Sequence, residues 1–230
     1  PPRSGGCGFP TVRNEWRSLS AAAQTRFLSA VKCLMATDSV LDISKKQLRS
    51  VYDDFAYAHF TLVANVHGTA SFLAWHRTLI LLFEYALQDF CGYTGTLPYW
   101  DWTLDASNPS ASPIFSDGAF GGNGQGTSQC ITNGAFNQET VTINHPNGPQ
   151  CITRNFMDGS MNGELFSSAI IQNLASTSTW GVFQQGIFVG PHSAVHNAVG
   201  GDFGYPPAAG NDPLFYVHHA QIDRVWAQWQ

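Results

Sequence analysis

The sequence predicts a mainly α fold in one domain spanning residues 1–230, and three observations predict it. Apolar residues recur at helical spacing in several separate stretches, capping residues stand at their starts, and the composition between them shifts to loop-forming types. At 230 residues the chain is long enough for one large domain with a sizeable core.

Ser20 precedes Ala21, Ala22 and Ala23 and opens a run with Phe27, Val31 and Leu34 on one face. Ser44 is positioned to cap a second helix that runs toward His59 and ends there. Thr69 or Ser71 starts a third, which buries Phe72, Trp75, Leu79, Leu82, Phe83 and Ala86 and closes near Cys91-Gly92. From residue 92 to about 162, Gly, Pro, Ser, Thr and Asn dominate, with a low-complexity patch at 118–126. This segment reads as loop with few short strands, such as 141–143. Helical pattern returns at 164–174 and at 190–199. It returns again at Asp212-Pro213, where a capping Asp precedes Pro at the first helical position.

The 43% hydrophobic, 13% aromatic and 12% charged content is that of a globular body. A net charge of −5 supplies no basic footprint, so neither nucleic acid nor an anionic membrane is an expected partner. No apolar run reaches transmembrane length; the longest candidate, around 79–83, stops at Glu84. Pro1-Pro2-Arg3 does not lead into an apolar region, so no signal peptide is expected here, and the abrupt ends read as those of a trimmed chain. Five cysteines suggest an oxidising compartment and a secreted or extracellular location. Cys130 and Cys151 flank a Gly/Asn-rich loop where a disulfide can replace missing core, buried free thiols being the alternative. Cys7, Cys33 and Cys91 cannot all pair internally.

Seven of the eight histidines fall into two groups. His59, His67 and His76 make the first; His192, His196 and the pair His218/His219 make the second; His145, before Pro146, reads as a surface residue. His192 and His196 are four apart and share a helix face, and a second helix adds His219, which is how a bundle core builds a metal site. In the first group His59 and His76 come from two helices, while Gly68 breaks the helix and leaves His67 on the connection. A satisfied core histidine is the ordinary reading of any one of these, yet it has to hold six times over. No Glu-x-x-His motif accompanies either group, which disfavours a carboxylate di-iron bundle. No Cys or Met stands with the histidines, which argues against blue copper and thiolate zinc. Imidazole suits zinc or copper, and only copper cycles between oxidation states, so an all-histidine pair of ions favours copper and O2 chemistry.

The segment His67-Gly68-Thr69-Ala70-Ser71-Phe72-Leu73-Ala74-Trp75-His76-Arg77, with Leu97-Pro98-Tyr99-Trp100-Asp101-Trp102, resembles the copper A region of tyrosinases and catechol oxidases. Asp212-Pro213-Leu214-Phe215-Tyr216-Val217-His218-His219, continuing through Asp223-Arg224-Val225-Trp226, resembles their copper B signature. The resemblance covers residues 14–230 and is strongest to short fungal members. It implies a mainly α single domain whose central four-helix bundle holds a dicopper site, with long irregular loops and few short strands. It further implies two copper ions as cofactors, O2 as co-substrate and small phenols as substrates. His59, His67 and His76 would hold copper A, and His192, His196 and His219 copper B, because the family's ligand is the histidine four before the Asp. Gln184, Ser193, Asn197, Phe215, His218 and Asp223 are the expected cavity or supporting residues, with a helix-bundle salt bridge to an arginine as the alternative for Asp223. Arg77 and Glu84 are expected to form a pair within their helix or a bundle ion pair rather than to act in catalysis.

This chain departs from its relatives in ways that bear on substrate. Asn65 stands where many fungal relatives carry a cysteine crosslinked to the histidine. Where monophenol-hydroxylating relatives carry a Glu ahead of the first copper B histidine, this chain has Phe183 and Gln184, and Ser193 replaces an Asn. No Asp or Glu occurs between Glu164 and Asp202. A neutral amide is a poor base. The expected activity is therefore oxidation of o-diphenols to o-quinones, with weak or restricted monophenol hydroxylation. The alternatives are a full tyrosinase and, in a different class, a hemocyanin-like oxygen carrier, which uses the same six histidines but shields them with a further domain. A zinc hydrolase is a third reading.

Overall fold

The structure, a computed structural model, describes residues 12–41, 49–139, 141–145, 148–159 and 161–230. Its frame is laid down by three long helices early in the chain. Helix α1 spans Ala21–Ala36, and the Ser20 side chain accepts from the Ala23 N–H at its start. Helix α2 spans Val51–Val66 and begins with a capping box, in which Ser50 Oγ accepts from the Asp53 N–H while Asp53 Oδ2 accepts from the Ser50 N–H. The expected cap at Ser44 lies outside the described residues; the local signal that starts this helix is Ser50 with Asp53. Helix α3 spans Phe72–Cys91 and stops at Gly92, whose φ of 62° is a left-handed cap that costs glycine nothing. A disulfide between Cys33 and Cys91 ties the end of α1 to the end of α3.

The loop-rich middle holds two short hairpins, β1 (Gly124–Gln125) with β2 (Cys130–Ile131) and β3 (Ile143–His145) with β4 (Gly148–Gln150). The strand expected at 141–143 thus starts two positions later. A second disulfide joins Cys130 to Cys151, the pairing expected from the loop they flank. Cys7, the fifth cysteine, lies outside the described residues. One tie between this layer and the helices is Arg154, fully buried, whose guanidinium makes a two-pronged ion pair to Asp212 at 2.7 and 2.9 Å. Asp212 Oδ1 also accepts from the Leu214 N–H, so the residue read as a helix cap serves the ion pair as well.

The stretch expected as one helix at 164–174 divides into a short turn, Glu164–Phe166, and α4, Ser168–Ala175. Helix α5, Trp180–Ile187, was not anticipated: Gly181 and Gly186 weaken its local propensity. Packing holds it instead, with Phe183 stacked on Trp229 at 4.7 Å and Trp180 against Trp226. A π turn at Phe188–His192 then leads into α6, Ser193–Val199, so the helix expected at 190–199 is the second half of a longer, bulged one. Pro191 has no N–H to give the preceding turn, and Gly190 leaves helical dihedrals (φ −89°, ψ −111°). The short α7, Gly201–Gly204, and α8, Leu214–Trp229, complete the chain. Helix α3 packs on α1, α2 and α8, and Phe83 of α3 stacks on Tyr216 of α8 with centroids 3.6 Å apart. Helices α2, α3, α6 and α8 carry the histidines inward, which is the mainly helical bundle the sequence predicts. Among the described residues no helix is long and apolar enough to cross a membrane.

Candidate metal centre

His59 lies in the interior of α2 rather than at its end, and His67 caps that helix, after which Gly68 turns the chain at φ 66°. His76 follows in the second turn of α3. One ring nitrogen from each of these three lies within 4.8 Å of the others. A second cluster at the same separation contains His192, His196, His218 and His219, one histidine more than a triad. The two clusters abut, with His76 and His219 rings stacked at 4.2 Å and His67 facing His192 at 5.9 Å.

Backbone carbonyls orient four of the rings. Nδ1 of His67 sits 2.8 Å from the Val63 carbonyl, Nδ1 of His76 2.8 Å from that of Phe72, and Nδ1 of His192 3.3 Å from that of Phe188. Nδ1 of His196 lies 2.6 Å from the Phe203 carbonyl. A carbonyl only accepts, so Nδ1 carries the proton in each and the Nε2 lone pair is left to face inward. The Phe188 carbonyl lies in the π turn and also accepts from the Ser193 N–H and from Ser193 Oγ, the latter at 2.7 Å.

Nε2 of His76 and His192, and both ring nitrogens of His59, His218 and His219, are buried without a hydrogen-bond partner. Each unpartnered buried polar atom costs about 1–3 kcal/mol. So many converging on two points is the pattern a bound cation relieves. Burial pushes His59, His76, His192, His218 and His219 well below the ordinary imidazole range, and neighbouring histidines add to it. Burial likewise lowers His67, and takes His196 to about 4. Neutral imidazoles are what metal ligation requires, so the donor set fits a pair of nitrogen-coordinated transition-metal ions.

The structure distributes the other expected site residues. Phe215 packs between the clusters, 4.7 Å from His59 and 4.2 Å from His219, as a floor rather than a cavity wall. His218 lies on the side of the second cluster near Phe203 and Trp102, whereas His219 faces the first cluster. Ser193 and Asn197 line a cavity of about 200 Å³ above the histidines. Gln184 does not: its amide donates to the Thr69 carbonyl at 2.9 Å and pins α5 to the start of α3. Asp223 meets no histidine; its carboxylate is held by Arg77 and by Arg13, the latter at 3.1 Å. Glu84 pairs with Arg13, so Arg77 and Glu84 share one ion network without pairing directly. Sequence reasoning missed Val63, Phe188, Gly204, Pro206 and Ala209, which complete the cavity. Periodicity marks Val63 as part of a helix, but nothing local assigns any of the five to a cavity.

Comparison with known proteins gives consistent matches. Residues 49–230 match the family model described as the common central domain of tyrosinase. The chain is 40% identical over 238 residues to tyrosinase ustQ of Aspergillus flavus, an alignment that covers 97% of this chain and 65% of the relative. It is 30% identical over 274 residues to tyrosinase P of Aspergillus terreus, covering 97% and 76%. The chain therefore spans just under two thirds of the length of the first of these relatives. Among solved structures, a polyphenol oxidase from Thermothelomyces thermophila superposes with a TM-score of 0.87 at 30% identity, over 95% of this chain and 70% of the other. A functional unit of octopus hemocyanin shares the fold, with a TM-score of 0.61 at 22% identity over 96% and 53% of the two chains.

Proposed function

Because the chain belongs to the tyrosinase family of copper oxidases, we propose that it oxidises o-diphenols to o-quinones with O2 and hydroxylates monophenols only weakly. The observation that carries this reading is the pair of abutting imidazole clusters with buried, unpartnered nitrogens. His59, His67 and His76 would hold one copper. His192, His196 and His219 would hold the other; the stacking of His219 on His76 supports it over His218, whose ring lies on the far side. Bound copper supplies the redox capacity that zinc lacks, so that electrons pass from a diphenol to O2, which is reduced to water.

The chain's own residues act by positioning. Carbonyls of Val63, Phe72, Phe188 and Phe203 lock the ring orientations, and Phe215 and Phe72 keep water from beneath the clusters. The preference for diphenols rests on proton transfer. A phenol loses its proton on binding, and the cavity lining offers no carboxylate to take it. Gln184 is neutral and engaged with Thr69, and the Ser193 hydroxyl proton is engaged with Phe188. Catechols, being more acidic than matched monophenols, suffer less from this lack. The two disulfides support placement of the enzyme in an oxidising, extracellular compartment.

Oxygen uptake by the copper-loaded chain with p-cresol and with 4-methylcatechol tests the reading. The catechol is expected to turn over at least about tenfold faster, since a placed general base contributes roughly 10²–10⁴. Faster turnover of p-cresol would overturn the diphenol preference.

A further inference from the structure

The cavity over the histidines is walled by three stretches of chain, and none of them contains an Asp, Glu, Lys or Arg. Val63 and the first-cluster histidines come from residues 55–76, Phe188, Ser193 and Asn197 from 165–201, and Pro206 and Ala209 from 203–211. Of the charged residues that border these stretches, Glu164 is exposed and does not line the cavity, and the others are engaged elsewhere. Asp54 accepts from the Val40 N–H at 2.9 Å, Arg77 is held by Asp223, the Asp202 carboxylate accepts from the Thr153 N–H and hydroxyl, and Asp212 holds Arg154. The polar groups left at the mouth are neutral: the Ser193 hydroxyl, donating to Phe188, and the exposed amide of Asn197. Next in the chain to the lining residues Phe188 and Pro206, Val189 and Tyr205 are 57% and 58% exposed.

We infer that this site takes single-ring diphenols whose ring substituent is uncharged, and discriminates against substituents bearing an ammonium or a carboxylate. The inference rests on the diphenol-oxidase reading and narrows its substrate class. A cavity of about 200 Å³ lies below the roughly 300–1,000 Å³ of pockets for drug-sized ligands, which limits the occupant to about one ring. An alkyl substituent buries apolar area on Val63, Phe188 and Pro206. A charged substituent in the same place gives up hydration and meets no counter-charge. The metal ions' own positive charge adds to the penalty for an ammonium and partly offsets that for a carboxylate.

The test uses three probes built on one ring: 4-methylcatechol, dopamine and 3,4-dihydroxyphenylacetate. With the copper-loaded chain, kcat/KM from oxygen uptake is expected to be highest for 4-methylcatechol, intermediate for 3,4-dihydroxyphenylacetate and lowest for dopamine. The outer two are expected to differ by at least about tenfold. Calorimetric Kd values measured without oxygen should fall in the same order. Asn197→Asp, at an exposed position, should improve dopamine relative to 4-methylcatechol by a few-fold, the size of an exposed ion pair. Equal kcat/KM and Kd for a charged probe and 4-methylcatechol would overturn the inference, as would unchanged selectivity in Asn197→Asp. Retention of the binding order with no oxidation of any probe would instead sink the oxidase reading and leave the selectivity standing.

Discussion

A carbonyl four residues back orients the rings of His67, His76 and His192, so helix geometry itself sets which nitrogen faces the centre. His218 and His219 lack such a carbonyl, and the choice between them rests on which side of α8 meets α3. His219→Gln is expected to lower copper content from two ions per chain toward one and to cut oxygen uptake by more than about 100-fold. His218→Gln should keep both ions and lose at most about 10–100-fold, the effect of a residue that supports ligands. Metal analysis of the two variants decides, and equal copper loss in both would contradict the assignment. A second buried group sets an alkaline limit. Tyr52 donates to the Gly210 and Asn211 carbonyls, and burial first, then Tyr216 and nearby carboxylates, hold its hydroxyl well above the ordinary value of 10. The folded state therefore keeps a proton that the unfolded chain releases, so this stabilisation is complete below pH 10 and declines as pH rises past it. Tyr52→Phe should cost about 1 kcal/mol at pH 8. Its deficit should narrow above pH 10 in denaturant midpoints taken from pH 8 to 11; a constant deficit would be the contrary result.

At the level of elements, the bulged α5–α6 helix shows how a local defect serves the site. Pro191 has no N–H to give Ile187 four residues back, the turn widens, and the Phe188 carbonyl accepts from the N–H and hydroxyl of Ser193 and from the ring of His192. Helices α1 and α3, in turn, are held together by a covalent tie across 58 residues. Chain entropy assigns such a loop about 4 kcal/mol of stabilisation, against about 3 kcal/mol for the 21-residue loop closed by Cys130 and Cys151. Cys33→Ser with Cys91→Ser is therefore expected to lower the thermal midpoint more than Cys130→Ser with Cys151→Ser, as read by calorimetry. The reverse ranking would mean that the loop layer contributes more than its length implies.

Across the whole molecule, a fully buried ion pair joins the irregular layer to the helical bundle. Arg154 and Asp212 are both fully buried, and Arg154 also donates to carbonyls of the layer at Phe120 and Gly122. Removing one partner leaves an uncompensated buried charge at the start of the helix that carries His219. Arg154→Met is expected to destabilise the protein by about 3–5 kcal/mol, and Arg154→Met combined with Asp212→Leu by less. Chemical denaturation of both variants tests this; a double variant less stable than the single one would contradict it.

The sequence by itself determined the helical class, the start of α1, the limits of α3, the Cys130–Cys151 pairing and the seven histidines of the two clusters. These depend on periodicity, capping residues and spacing, which act over a turn or two and are written in neighbouring positions. Only the tertiary structure decided the rest. Helix α5 forms because Trp226 and Trp229 cover it, although its glycines argue against it locally. Gln184 turns to Thr69, and the arginine salt bridge that the sequence offers as one reading of Asp223 is made with Arg13 and Arg77, because these partners are supplied by distant segments. The Cys33–Cys91 bond and the Arg154–Asp212 pair likewise join residues 58 positions apart in each case. The cavity's uncharged wall has the same origin: the absence of charge is visible along each of three stretches, but folding alone brings them around one opening.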